Sequence, residues 1–234
     1  MKDLVSCIVA VFNGEQYLKE ALDSILDQTY QPVEVIVIDD GSTDGTSTIA
    51  ERYGERVRYK WQTNAGPGAA RNLGLSLAAG EFVAFLDADD LWHPEKLTLQ
   101  MERFHARPEL EMCITHAQNF WAPELREEEV RFKDHRLSKP LPCYLTQALL
   151  ARRTLFDKLG SFESQFRHIH DSEWFLRANE QDIVTELLPD VLVYRRLHEG
   201  NRSRRLAASS RDEYLQLVKS SIDRRRRQGQ ANSG

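Results

Sequence analysis

The sequence predicts an α/β protein whose sheet is mostly parallel and covered by helices on both faces. Three observations point there. Short β-branched runs are apolar throughout, amphipathic helical stretches alternate with them, and carboxylates and glycines gather where the runs stop. A strand open to water on one face alternates apolar and polar residues, whereas one covered on both faces does not.

Taken in order, "LVSCIVAVF" (4–12) is the first strand, and "NGEQYLKEALDSILDQ" (13–28) puts Tyr17, Leu18, Ala21, Leu22, Ile25 and Leu26 on one helical stripe. Asn13 and Gln16 have the spacing of a capping box. "VEVIVID" is the second strand, "TSTIAERYG" a short helix, "VRYKWQT" the third strand, "GAARNLGLSLAAG" a small-residue helix closed by Gly80, and "EFVAFLD" the fourth strand. "HPEKLTLQMERFHA" opens a helix with Pro94 near its first turn, and "EMCITHAQNF" is a strand. Residues 121–140 are charged and aperiodic, a surface loop or hairpin. A strand leading into a short helix is expected in "TQALLARRTLFDKLG", a helix in "DSEWFLRANEQ", a strand broken at Pro189 in "IVTELLPDVLVYRRLH", and a last helix in "AASSRDEYLQLVKSSID". No repeat or linker divides the chain, so residues 1–234 are expected to form one domain. Its parts are a first subregion (1–107), a less regular second one (108–205), and a C-terminal helix with a basic tail (206–234).

At 234 residues, 41% hydrophobic and 29% charged, the chain suits a soluble globular domain. Its apolar N-terminal run is strand-sized, so neither a leader nor a membrane span is expected and the location expected is cytoplasmic. Cys7, Cys113 and Cys143 are far apart and lack metal-site spacing, which argues against disulfides and cysteine zinc sites. The net charge of −5 hides an asymmetry, because residues 195–227 hold eleven Lys and Arg against four Asp and Glu. An acidic body points away from nucleic acid and toward sites that hold cations. The basic tail is a solvated helix, or suits phosphate or the inner face of an anionic membrane.

In an open α/β sheet, ligands bind beyond the carboxyl ends of the strands. Asp39, Asp40 and Asp44 fall there after the second strand, and Asp87, Asp89 and Asp90 after the fourth. Such a cluster would repel itself unless a hard cation neutralised it, and Mg²⁺ or Mn²⁺ binds through one or two carboxylates plus substrate phosphates. A nucleoside diphosphate site is the deduction. A carboxylate fixed at a strand end can also accept from the N3–H of uracil, so Asp39 or Asp40 is placed to read a base. "DDGSTDG" alone is equally compatible with turn chemistry.

The stretches "CIVAVFNGEQYLKEALDSILDQTYQPVEVIVIDDGSTDGT", "NAGPGAARNLGLSLAAGEFVAFLDADDLWHPEKL" and "HDSEWFLR", in this order and spacing, resemble family 2 of the inverting glycosyltransferases. That resemblance implies the GT-A fold, a nucleotide-sugar donor with UDP as the default, and Mn²⁺ or Mg²⁺ as cofactor. It places Phe12 and the backbone of Ala10 and Val11 beside the base, with Asp40 accepting from the base and Asp39 supporting the turn. Arg71 would lie near the nucleotide, Asp87 and Ala88 near the ribose, and Asp89 on the metal with His198. Asp171 would be the general base. Without the resemblance, Asp171 reads as readily as a helix cap. Arg152 and Arg153 would border the donor phosphates or start a solvated helix.

Ala10 stands where the family usually has proline. His170 replaces an acidic residue and either tunes Asp171 or the acceptor preference or, the reading favoured, is a partly exposed histidine without a catalytic role; His168 and His170 suggest no zinc site, Trp92 reads as packing, and Trp174 stays open between packing and sugar stacking. With no membrane helices after "RRLHEGNRS", a single-transfer enzyme is implied. Its acceptor is left open among a saccharide, a lipid-linked saccharide, a small molecule and a peptide. Two rival readings are a catalytically idle nucleotide-binding or interaction protein on the same fold, and an aspartyl-phosphate protein of the receiver or haloacid-dehalogenase type. The second leaves "DADD" and Asp171 unexplained.

Overall fold

The computed structural model describes residues 2–201 and 210–231, with side chains at 2–201 and 211–224. The basic side chains of 225–227 and the arginines of 202–205 lie outside this description.

Four strands run parallel at the amino-terminal half: β1 (Val5–Val11), β2 (Val33–Asp39), β3 (Arg58–Trp61) and β4 (Phe82–Asp87). The second half adds β5 (Leu91–Trp92), β6 (Met112–Trp121), β7 (Leu141–Pro142), β8 (Leu150–Arg152) and β9 (Thr185–Leu197). The order across the sheet is β3-β2-β1-β4-β8-β6-β9-β5, with β7 on β6. Short β8 pairs antiparallel with β4 on one side and β6 on the other, and so joins the two halves in one sheet.

Alternation within the apolar strands divides the core into two layers. Val5, Cys7, Val9 and Val11 face α1 (Leu18–Leu26) and α4 (Lys96–Ala106), in the layer beside α2 (Thr46–Glu51). Ile8, Ile36, Ile38, Val83 and Phe85 face α3 (Pro67–Leu77), α6 (Thr154–Leu159) and α7 (His170–Glu180). Both faces are sealed, which is why these strands carry no polar period. The small residues of α3 let it lie directly on β1: a Cβ at Gly74 would meet Ile8 Cγ2 at 2.4 Å. The predicted stripe on α1 is buried at Leu18, Ala21, Leu22 and Ile25.

Four local expectations differ from the structure. Asn13 does not cap α1, which starts at Leu18; at φ 52° it instead turns its Oδ1 to the backbone N–H of Thr43, 2.9 Å away. Helix α3 ends at Leu77, before Gly80. Residues 121–140 hold a short helix, α5 (Arg126–Arg131), flanked by 3₁₀ turns. Pro189 does not break β9. The register against β6 runs Thr115↔Leu188, then His116↔Val191 and Ala117↔Val193, so extra residues bulge out around the proline, where its missing N–H costs no ladder bond.

The last helix described is α8 (Ser210–Ala231), which packs on α7. Among the described residues, no helix is long and apolar enough to cross a membrane. All three cysteines are free and buried, and burial pushes each thiol up to about 12.

Candidate active site

The register sets the strand ends side by side, with Val11 against Asp39 and Ala10 against Asp87. Asp39 closes the turn beyond β2, its Oδ1 accepting from Ser42 N at 2.7 Å and its Oδ2 from Tyr59 Oη at 2.8 Å. Asp40 accepts from Gln62 Nε2 (2.7 Å) and Ala65 N (2.8 Å) on Oδ1, and from Gly66 N (2.8 Å) on Oδ2. A carboxylate oxygen has two lone pairs, so Oδ2 keeps one acceptor position. Gly41 makes the turn at φ 84°, where a Cβ would also lie 2.9 Å from Asn64 N. Phe12 stands 53% exposed at this edge, beyond the buried Val11 and half-buried Ala10. Asp44 turns away from the cluster, accepting from Glu15 N and from the backbone and hydroxyl of Thr46.

Beyond β4, carboxylate oxygens of Asp87, Asp89 and Asp90 come within 4.8 Å of one another. Asp90 is buried and uses both oxygens internally, on Arg196 N and Gln147 Nε2. Burial, then the neighbouring Asp89 and Asp87 charges, push its carboxyl well above the usual range. Asp89 Oδ2 accepts from Asn201 Nδ2 at 3.1 Å and meets His198 Nε2 at 3.0 Å, while Oδ1 has no donor among the described residues. Arg196 braces this corner. Its Nε donates to Asp89 O, its Nη2 reaches Glu20 at 2.7 Å, and its guanidinium lies between the rings of Tyr17 and Phe120. His198 meets Tyr17 edge to face at 4.8 Å. Ala88 is half-buried between the acids and packs on the core.

Arg71, buried on α3, links this cluster to α7. Its Nη2 is 2.5 Å from Asp87 Oδ1, and its Nη1 touches His170 Nε2 and lies 3.4 Å from Asp171 Oδ1. Asp171 sits in the first turn of α7 and does not cap it; the N-cap residue is Ile169, and it makes no side-chain cap bond. Burial alone would raise the Asp171 carboxyl, but the opposing charges of Arg71, His170 and Arg195 hold it below the ordinary carboxylate value. Burial and the Asp89 and Asp171 charges outweigh Arg71 at Asp87, which is raised. The ionised form of Asp171 is thus favoured by its cationic neighbours despite its burial.

The phosphate-contact reading of Arg152 and Arg153 and the exposure of His170 need correction, whereas packing holds for Trp92 and decides Trp174. Arg152 pairs with Phe82 at the amino end of β4, and Arg153 Nε donates to Gly80 O, so both lie roughly 17 Å of strand rise away from Asp87. Trp174 is fully buried, stacked on Phe156 with its Nε1 on Gly160 O, and Trp92 is buried with its Nε1 on Gln147 O. Packing accounts for both. His170 is buried against Arg71 and Asp171, not exposed. Sequence reading misses Gln62, Arg196 and Asn201, whose partners lie up to 176 positions away.

The chemistry of the donors suits a hard divalent cation. Asp87 at the end of β4 and Asp89 just beyond it are half-exposed oxygen donors, and Asp89 keeps an oxygen without a donor among the described residues. The family model for glycosyl transferase family 2 matches residues 6–162. An uncharacterised glycosyltransferase of Rickettsia typhi is 31% identical over 226 residues, covering 92% of this chain and 70% of that protein. S. aureus TarS 1–349, solved in complex with UDP-GlcNAc, superposes with a TM-score of 0.72 at 25% identity, over 87% of this chain and 61% of that one. The mannosyltransferase PcManGT of Pyrobaculum calidifontis, solved with GDP-Man and Mn²⁺, gives 0.64 at 23% identity over 86% and 59%, and speaks to the fold alone. With the sheet, the acidic strand ends and these relatives in agreement, the chain belongs to glycosyl transferase family 2 and is a glycosyltransferase of the GT-A fold.

Proposed function

We propose that this chain is a metal-dependent inverting transferase that moves a sugar from a nucleoside diphosphate sugar, UDP-linked in the first instance, to an acceptor hydroxyl. The carrying observation is Arg71, a single buried cation that holds Asp87 of the acidic cluster and Asp171 of α7 within one guanidinium's reach. Donor and acceptor chemistry thereby share a wall. TarS binding UDP-GlcNAc supports the choice of nucleotide. Residues 1–107 supply the donor side and 108–205 the acceptor side.

Phe12 and the backbone of Ala10 and Val11 border the base, and the remaining lone pair of Asp40 Oδ2 accepts from its N3–H. Asp87 and Ala88 meet the ribose. Asp89, with His198 beside it, would hold Mn²⁺ or Mg²⁺, which when bound supplies positive charge to the departing diphosphate. Asp171 takes the acceptor's proton as the acceptor oxygen bonds to the anomeric carbon, and the electron pair of the broken C–O bond leaves with the diphosphate. One base suffices for a single displacement with inversion.

Titration calorimetry with UDP in Mn²⁺, Mg²⁺ and chelator tests the donor site. Binding should need the metal, and Asp89→Ala should lose the metal-dependent part. Equal affinity in chelator, unchanged by Asp89→Ala, would refute the site.

The exposed face of α8 is proposed to rest on an anionic bilayer. Tyr214, Leu215, Val218 and Ile222 are exposed there, and Arg211 and Lys219 are exposed on the same helix, an apolar stripe with cations suited to acidic headgroups. The protein should co-sediment with phosphatidylglycerol vesicles at low salt, and Leu215→Glu with Val218→Glu should release it. A self-associating wild type that ignores vesicles would assign the stripe to a second copy instead.

A further inference from the structure

Helix α8 lies beyond the stretch matched by the family model, yet it reaches the reacting end of α7. Glu213 Oε1 accepts from Arg167 N at 3.1 Å, and its Oε2 accepts from His168 N at 2.8 Å and Ile169 N at 3.2 Å. These are the three residues immediately before α7. Helix α7 has no side-chain cap of its own; Glu213 instead bonds the amide of its N-cap residue and the two amides before it, placing negative charge at the positive end of the helix. Phe166, Ile169 and Leu217 bury an apolar contact beneath it, at 1%, 4% and 5% exposure. At the far end of α7, Ser221 Oγ and Arg224 Nε bond Glu180. Helix α8 grips α7 at both ends.

Asp171 stands two positions after Ile169, and its oxygen lies 3.4 Å from Arg71 Nη1. A general base must be held within hydrogen-bond reach of the proton it takes, and a misplacement of about 1 Å can cost about a hundredfold in rate. We infer that Glu213 is a positioning residue: by pinning the amides of 167–169 it fixes the entry to α7, and with it the aim of Asp171. This rests on the reading of Asp171 as the base.

The test compares Glu213→Ala with Ser221→Ala, which loosens the same pair of helices at the end away from Asp171. Glu213→Ala should lower kcat by about 10- to 100-fold while UDP affinity holds, and amide exchange at His168 and Ile169 should quicken. Ser221→Ala should keep kcat at a similar loss of melting temperature. Should Glu213→Ala not fold, Glu213→Gln carries the same comparison, keeping the shape and losing the charge. An unchanged kcat in the Glu213 variant, or a fall matched by Ser221→Ala, overturns the positioning role. An inactive Asp171→Asn beside a fully active Glu213→Ala overturns it alone, whereas an active Asp171→Asn removes the base assignment and this role together.

Discussion

Replacing Asp171 with asparagine is expected to reduce turnover by roughly 10²–10⁴-fold, the usual contribution of a positioned base. UDP affinity should stay within about twofold of wild type, because Asp171 lies on α7 and the donor loops on β1, β2 and β4 keep their contacts. The side chains are nearly isosteric and Arg71 retains Asp87, so the fold should survive the change. Initial rates with a turned-over donor, set beside calorimetry with UDP, make the comparison. A variant within about tenfold of wild-type turnover would show that another group takes the proton. A wild type that binds UDP and turns over no donor or acceptor tried would favour a nucleotide-binding member without transfer activity.

The largest expected effect on stability comes from Lys96. It is fully buried under α4, donating to Gln100 Oε1 at 2.8 Å with its Nζ 4.2 Å from the centre of the Trp92 ring. No carboxylate pairs with it among the described residues, and burial pushes its ammonium down from 10.5 to about 7. Above about pH 7 the folded state has released this proton, whereas the unfolded chain holds it until 10.5. Stability should therefore rise with pH across that window, by up to about 1.4 kcal/mol per unit and about 4–5 kcal/mol in all. Below the window both states are protonated and the whole penalty is present. Lys96→Met should show none of this slope. Urea unfolding at several pH values between 7 and 10 checks it: the stability difference between variant and wild type should shrink steadily as pH rises. The folded thiols, pushed up to about 12, lie above this range in both proteins, and because the Lys96 charge lowers Cys7 and Cys113 the difference reports Lys96 together with that coupling. Parallel stability curves would mean that Lys96 is solvated through motions of α4.

Much of the fold is legible in the sequence because its strands are apolar on both sides and its helices carry stripes, both local signals. Asp39, Asp40, Asp87 and Asp89 are legible for a related reason: a charged residue next to such a strand has to sit at its end. The burial of His170 is not legible, because it depends on α3, which brings Arg71 from 99 positions away and presents the side-chain-free Gly68 to the histidine ring. Asn13 has the spacing of a cap, but its side chain is drawn off by the turn after β2. Arg152 ends, and Arg153 follows, a short strand that runs antiparallel to β4, so a plausible phosphate contact falls at the wrong end of the sheet. Direction along a strand leaves no trace in its composition.

The irregular pairing of β9 gives that strand a phase. Between Thr115↔Leu188 and Ala117↔Val193, β6 advances two residues and β9 five, an odd surplus. Because side chains alternate, an odd surplus exchanges the two faces of everything downstream. Arg196 is thereby turned toward Asp89, Asp90 and Glu20, and His198 follows two positions later on the same side. The two extra residues at Pro189 and Asp190 keep the phase and the single extra Leu192 reverses it, so the parity of the strand is set beside the proline and not at it.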